Sequence, residues 1–166
     1  MLLSANRLKI LLIAAFLFVA SIITCTAQTV HVYRKNSTMS SDIICTFRVG
    51  HLFDGNSSFG TDILCTIRDG KIYRGTSTFS SDIQYTVRDN NVYEGQSTFT
   101  EKILFCKRGD RLYREDSSME SAVFANLNGY RVYRDNWSFS SDMLFYFDGP
   151  YTFEQLVAVL LYAKSI

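Results

Sequence analysis

A unit of 20 residues recurs six times without interruption between His31 and Pro150. The third copy reads KIYRGTSTFSSDIQYTVRDN, and similar residue types stand at the same positions of the other copies. A fixed period of this length indicates an array of one supersecondary unit, in which each copy packs against its neighbours. The architecture of the array therefore explains most recurring residues. Only residues that packing of the repeats does not explain can indicate a function.

Each copy has the pattern of a β-hairpin unit. In the third copy, residues 72–74 and 83–88 are rich in β-favouring side chains, and the Gly, Ser and Thr residues between them indicate a loop. Consecutive copies meet at pairs such as Asp69-Gly70, whose residues tolerate the positive φ of a type I′ turn. The sequence therefore predicts an all-β fold built from six tandem 20-residue hairpins.

Alternation along these strands predicts two faces. A two-residue turn at 69–70 pairs Ile67 with Ile72 and Arg68 with Lys71. We assign the apolar face to the core. In this unit the predicted core face carries Ile63, Cys65, Ile67 and Ile72. The opposite face carries Leu64, Thr66, Arg68, Lys71 and Tyr73.

Every otherwise polar loop contains one large apolar residue. These residues are Met39, Phe59, Phe79, Phe99, Met119 and Phe139. We expect each of them to fold back onto the neighbouring hairpin as a packing knob, because repeated aromatic residues in arrays usually pack between units. A platform on which ligands stack is the alternative interpretation.

Twelve short antiparallel strands must protect their edges. We predict a closed pseudo-symmetric ring or meander, with an open β-solenoid as the alternative, and favour closure because the terminal copies are not polar caps. Beyond Pro150, Thr152 and Gln155 form a capping-box pattern, and residues 153–164 follow without Gly or Pro. This segment predicts one apolar α-helix that docks over a mouth or flank of the array.

The N-terminus has the pattern of a secretory signal peptide. Arg7 and Lys9 precede an apolar run, residues 10–23, that is shorter than the roughly 20 residues of a membrane span. Lipid attachment through Cys25 is a less favoured alternative. The predicted organisation is a signal peptide at 1–27, a six-hairpin repeat domain at 28–150 and, at 151–166, a C-terminal helix packed on it.

Composition limits the classes of function. The 17 basic and 16 acidic residues of the chain leave no basic field for nucleic acid, and none is expected as a partner. Cys45 and Cys65 stand at the same position of adjacent copies, so a disulfide between them is geometrically open. Tyr, Phe and Ala fill that position elsewhere, which favours the interpretation of cysteine as a small buried hydrophobe.

Three recurring polar patterns could carry chemistry. Rows of tyrosine and arginine predict a candidate ligand surface, which consists of Tyr73, Tyr93, Tyr113, Tyr133, Arg68 and Arg88. The plainer interpretation of the arginines is a solvated face with weak ion pairs. A recurring aspartate (Asp42, Asp62, Asp82 and Asp142) closes a loop or, less favoured, binds Ca²⁺. We find no metal-ligand spacing, phosphate loop or nucleophile motif, and neither His31 nor His51 lies in a catalytic pattern.

The unit [VI]-Tyr-Arg-Gly-x-Ser-Thr-Phe-Ser-Ser-Asp-Ile, closed by Arg-Asp-Gly and followed by the helix that starts Phe153-Glu154-Gln155-Leu156, resembles a known family. The chain is similar to small secreted bacterial proteins, of the Bacteroidetes type, called four-fold β-flowers, although six repeats stand here in place of four. The resemblance implies hairpins that radiate around a pseudo-symmetry axis. It implies no assigned activity and no functional residues.

These observations predict a non-catalytic exported protein, periplasmic or extracellular, that acts as a binding or scaffold module at the cell envelope. A purely structural assembly protein is the alternative, and an enzyme is the least favoured class. No cofactor, metal or stable membrane span after cleavage is expected. The expected partner is a glycan or an envelope protein.

Overall fold

The computed structural model describes residues 28–136 and 138–162. The strands are β1 (Val30–Arg34), β2 (Ile43–Arg48), β3 (His51–Asp54), β4 (Ile63–Arg68), β5 (Lys71–Arg74), β6 (Ile83–Arg88), β7 (Asn91–Glu94), β8 (Ile103–Arg108), β9 (Arg111–Arg114), β10 (Val123–Asn128), β11 (Arg131–Arg134) and β12 (Met143–Phe147), and the helix is α1 (Phe153–Tyr162). A single turn of 3₁₀ helix precedes each even-numbered strand.

The strands form one closed antiparallel barrel in chain order, in which β1 also pairs with β12. The closed ring is therefore confirmed over the open solenoid. At the junction of the two chain ends, Val32 pairs with Phe147, and the Asp148 N–H donates to the His31 carbonyl over 3.1 Å. His31 Nδ1 also lies 2.7 Å from Asp148 Oδ2. Hydrogen bonds and the His31–Asp148 contact thus join β1 to β12, whereas a tight turn of the chain joins the two strands at each equivalent position.

Tight turns connect consecutive repeats, as predicted. Arg68 pairs with Lys71 and Ile67 with Ile72, so the turn at Asp69-Gly70 has two residues. Both turn residues have positive φ, 52° and 69°, as a type I′ turn requires. Tight turns and long loops alternate along an up-and-down barrel, so the long loops leave the barrel at the end opposite these turns.

A β-bulge in every repeat corrects the predicted core face. Leu52 pairs with Cys65 but Phe53 pairs with Ile63, so Leu64 is an extra residue in β4. The bulge turns Ile63 and its equivalents to the outer face, so their predicted place on the core face is wrong. Leu64, which was predicted on the opposite face, packs against the core. The inner face keeps Cys65, Ile67 and Ile72 as predicted.

The helix lies inside the barrel and not over a mouth or flank. Its five residues from Leu156 to Leu160 are at most 1% exposed, although five consecutive residues cover every side of a helix. They share one core with the inner face of the strands. A barrel of about eight strands is filled by its own side chains, so one of twelve strands has room for a central helix. The predicted capping box is confirmed, since the Thr152 N–H donates to Gln155 Oε1 over 2.8 Å.

Two predictions fall on other parts of the chain. The signal peptide at 1–27 and the last four residues of the helical segment, 163–166, lie outside the described residues. Within the described part, no helix has the length and apolar character that crossing a membrane requires.

Candidate functional site

The six long loops fold back onto the outer wall of the barrel. Two kinds of latch order four of them: the first ties the loops of the second, third and fourth repeats to the wall, and the second closes the loops of the first three repeats on themselves. In the first kind, a threonine hydroxyl of one strand donates to the carbonyl that begins the next loop, as from Thr66 to Gly75 over 2.7 Å. Thr46 and Thr86 make the same bond, to Gly55 and Gly95. These threonines are at most 8% exposed, so the loops cover them.

The recurring aspartate belongs to the second latch. In the third repeat, the Ser77 hydroxyl donates to Asp82 Oδ2 and accepts the N–H of Phe79. The same arrangement joins Ser37 to Asp42 and Ser57 to Asp62. The described residues contain no group of three or more His, Cys, Asp or Glu suited to a metal ion. The aspartates therefore close loops, which is the structural role favoured from the sequence.

The tyrosines of the predicted ligand surface lie beneath the loops. Tyr73, Tyr93, Tyr113 and Tyr133 are only 6–8% exposed. Because Tyr73 pairs with Ile83 across the bulge, each tyrosine packs on the outer wall with the apolar residue that the bulge has turned outward. Tyr113, Cys106 and Val123 form such a small satellite core.

The arginines of that predicted surface lie in solvent. The side chains of Arg68 and Arg88 are 65% and 66% exposed, and each guanidinium lies 3.3 Å from the adjacent aspartate, Asp69 or Asp89. Exposed pairs of this kind contribute little to stability. The structure therefore does not bring the tyrosine rings and the arginines together on one accessible surface.

The loop residues expected to be packing knobs are instead exposed. Met39, Phe59, Phe79, Phe99, Met119 and Phe139, here called the loop ring, are 64–74% exposed. The expectation of inward packing is wrong, because the loop backbone turns this position away from the wall. Each of these residues precedes a 3₁₀ turn, and its carbonyl accepts the N–H of the last residue of that turn. In the third repeat the Asp82 N–H donates to the Phe79 carbonyl over 3.0 Å.

The loops that carry the loop ring are acidic. They contain nine carboxylates against two lysines, Lys35 and Lys102. The carboxylates are Asp42, Asp62, Asp82, Glu101, Glu115, Asp116, Glu120, Asp135 and Asp142. The negative excess lies mainly in the fifth and sixth loops, where Arg108 and Arg111 pair with Asp116 and Glu120. Large apolar side chains beside the remaining negative charge complement a basic, apolar partner.

The histidines and cysteines serve the framework. His31 binds Asp148 at the junction of the chain ends, and His51 Nδ1 lies 3.0 Å from the latch hydroxyl of Thr66. Cys45, Cys65 and Cys106 are free thiols and buried. Burial raises the pKa of the Cys65 thiol to about 12 and raises that of Cys45 as well, so neither is a nucleophile at neutral pH.

Comparison with known proteins agrees with this geometry. A family model described as "6-fold beta flower protein" matches residues 21–160. Its six-fold repeat equals the number of hairpins in the barrel, whereas the proteins that the sequence resembles are four-fold. No curated protein and no solved structure matches the chain.

Proposed function

The chain belongs to the 6-fold beta flower protein family, and from that premise we propose that it is a non-catalytic binding module at the cell envelope. The family is not a known enzyme family. Both histidines of the chain are engaged in framework contacts, which supports a role without catalysis. The pattern of residues 1–27 supports export to the periplasm or beyond.

The observation that carries this proposal is the loop ring. Large apolar side chains on a soluble surface mark interaction sites when they recur in an organised set, whereas single ones need no explanation. Here one such side chain stands at the same place in each of six loops around a closed barrel. Six equivalent contacts allow a weak single interaction to become a strong multivalent one.

We assign a protein of the envelope with a basic and apolar surface as the partner. The loops carry nine carboxylates against two lysines, and this negative excess attracts basic groups. It repels an anionic lipid surface, because protein segments that bind such surfaces are rich in lysine and arginine. The partner's apolar groups would cover the phenylalanines and methionines. Rim charges mainly set association rate and salt dependence, so the complex weakens as ionic strength rises.

A triple variant of the loop ring tests the proposal. Phe59→Ser, Phe79→Ser and Phe99→Ser together remove three exposed rings without touching a latch. After crosslinking in cells identifies candidate envelope proteins, binding of the purified partner is measured by calorimetry with wild type and variant. We expect the affinity to fall about 100-fold or more, because three buried aromatic contacts are lost.

The matched control changes exposed apolar residues outside the loop ring. Val49 and Tyr130, which are 67% and 45% exposed at the tight turns, are replaced by serine. The control is expected to bind as wild type does, and equal binding by the triple variant would overturn the proposal. Light scattering checks the alternative: self-association that the triple variant abolishes would identify a structural assembly protein.

A further inference from the structure

A polar cleft of about 510 Å³ lies on the outer wall beside the fifth and sixth repeats. Arg108, Arg111, Asn126, Asn128 and Ser138 contribute to its lining. The ladders place Arg108 opposite Arg111, and Arg111 opposite Asn126, so these side chains stand next to one another on the outer face. The volume falls in the range of small-molecule sites.

The sixth loop, which borders the cleft, lacks both kinds of latch, as does the fifth, where Cys106 and Ala122 replace the threonine and the aspartate. Asn126 stands where earlier repeats have the latch threonines Thr46, Thr66 and Thr86. Its side chain makes no hydrogen bond within the described residues, whereas each of those hydroxyls is used to hold a loop. Trp137 stands where the other five loops have the latch serine and has no hydroxyl to offer Asp142. The Asn126 amide is thus left for another molecule.

Three carboxylates stand against two guanidiniums around the cleft. Arg108 Nη2 lies 2.7 Å from Asp116 Oδ1, and Arg111 Nη1 lies 3.6 Å from Glu120 Oε1. Asp110 also lines the cleft. Arg108 also donates through Nε to the Ser117 carbonyl over 3.1 Å, so the fifth loop holds its guanidinium in place. The cleft therefore has no net positive field, which disfavours an anionic ligand, and its uncharged amides suit a neutral one.

The chemistry of the lining suits a sugar. Planar amides and guanidiniums offer paired donors and acceptors, and these match the adjacent hydroxyls of a pyranose ring. We infer that this cleft binds a neutral oligosaccharide, a site that is separate from the loop ring and independent of the partner proposed for it.

Three neutral probes test the inference: maltohexaose, cellohexaose and N-acetylchitohexaose, with hexagalacturonate as the anionic comparison. Calorimetry measures the binding, and the fluorescence of Trp137, the only tryptophan of the chain, is a second readout. We expect at least one neutral probe to bind with a Kd below about 1 mM. Asn128→Ala should weaken that binding about tenfold or more.

Two further variants keep the test decisive. Asn126→Thr restores the latch residue of the earlier repeats, so it should fold, keep or raise the melting temperature and still lose binding. Arg88 ends β6 at the position that corresponds to Asn128 at the end of β10. Arg88→Ala is the control and should leave binding unchanged. No neutral probe bound at about 10 mM, tighter binding of hexagalacturonate, or equal losses in Arg88→Ala would each overturn the inference. None of these results bears on the loop ring, whose triple variant keeps the cleft intact.

Discussion

Single hydroxyl groups fasten the loops to the barrel. The Thr66 hydroxyl donates to the Gly75 carbonyl and also contacts His51 Nδ1, while only 5% of the residue is exposed. A buried carbonyl that loses its donor is left desolvated and without a hydrogen bond. Removal of the latch hydroxyl therefore lowers stability by more than the net contribution of one hydrogen bond. Asn126 occupies the same position in the fifth repeat and lines the polar cleft.

Removal of one latch should therefore be measurable. Thr66→Val keeps the shape of the side chain but leaves the Gly75 carbonyl without its donor, and we expect a loss of about 1–3 kcal/mol in the free energy of unfolding by urea titration. Thr78→Val, at an exposed position of the same loop, is the control and should change stability by less than about 0.5 kcal/mol. Equal effects of the two variants would show that the latch does not hold the loop.

The buried thiols make stability depend on alkaline pH. Below about pH 9 the thiol of Cys65 is protonated in both the folded and the unfolded chain. Above it the unfolded chain ionises, while burial keeps the folded thiol protonated up to a pKa of about 12. The unfolded state then binds fewer protons, so stability falls as pH rises, by about 1.4 kcal/mol per pH unit for one thiol.

Cys65→Ala tests this dependence. The variant is less stable at pH 7 because of the cavity it leaves, but its stability should decline less steeply between pH 9 and pH 11. Denaturant titrations at several pH values give the two slopes. Parallel slopes for wild type and variant would contradict the assignment of a buried, protonated thiol.

Among the elements, the tight turns set the register of the hairpins. Gly70 has φ +69°, and a Cβ atom there would lie 2.8 Å from the Val87 carbonyl oxygen, which belongs to the next hairpin. The Gly70 carbonyl in turn accepts the Val87 N–H over 2.7 Å. Glycine thus serves both the turn and the contact between successive hairpins.

A matched pair of glycine variants checks that dual role. Gly70→Ala combines an unfavourable φ with a backbone clash, and we expect a loss of about 2 kcal/mol or more in the free energy of unfolding. Gly60→Ala has open space around the new methyl group and should be neutral or slightly stabilising. The contrary result would be Gly70→Ala as stable as Gly60→Ala in the same thermal or urea titration.

The register around this turn was predictable from sequence, but the bulge and the helix position were not. Asp69-Gly70 and the alternation beside it specify the pairing of Ile67 with Ile72. Ile63 and Leu64 are both apolar, so alternation cannot say which of them faces inward. The helix was read as one-sided, although Ala158 and Val159 also make its other side apolar, which is the pattern of a helix buried all round.

At the scale of the whole molecule, closure and the loop ring depend on each other. Six copies bring β1 against β12, and the central helix fills the space that their inner faces enclose. The closed ring then distributes six exposed apolar side chains around one barrel. Sequence could identify the six positions but not their exposure, because that depends on loops latched across neighbouring repeats. The binding role proposed for the loop ring follows only from this arrangement.

A disulfide across the junction of the chain ends tests the closed ring most directly. His31 and Asp148 are 117 positions apart in sequence, yet the His31 N–H donates to Asp148 Oδ1 over 2.8 Å. We expect the His31→Cys/Asp148→Cys variant to form an intramolecular disulfide under mild oxidation, identified by peptide mapping of the monomer. An open array would place these residues at opposite ends, so reduced monomer or only intermolecular disulfides would contradict the closed barrel.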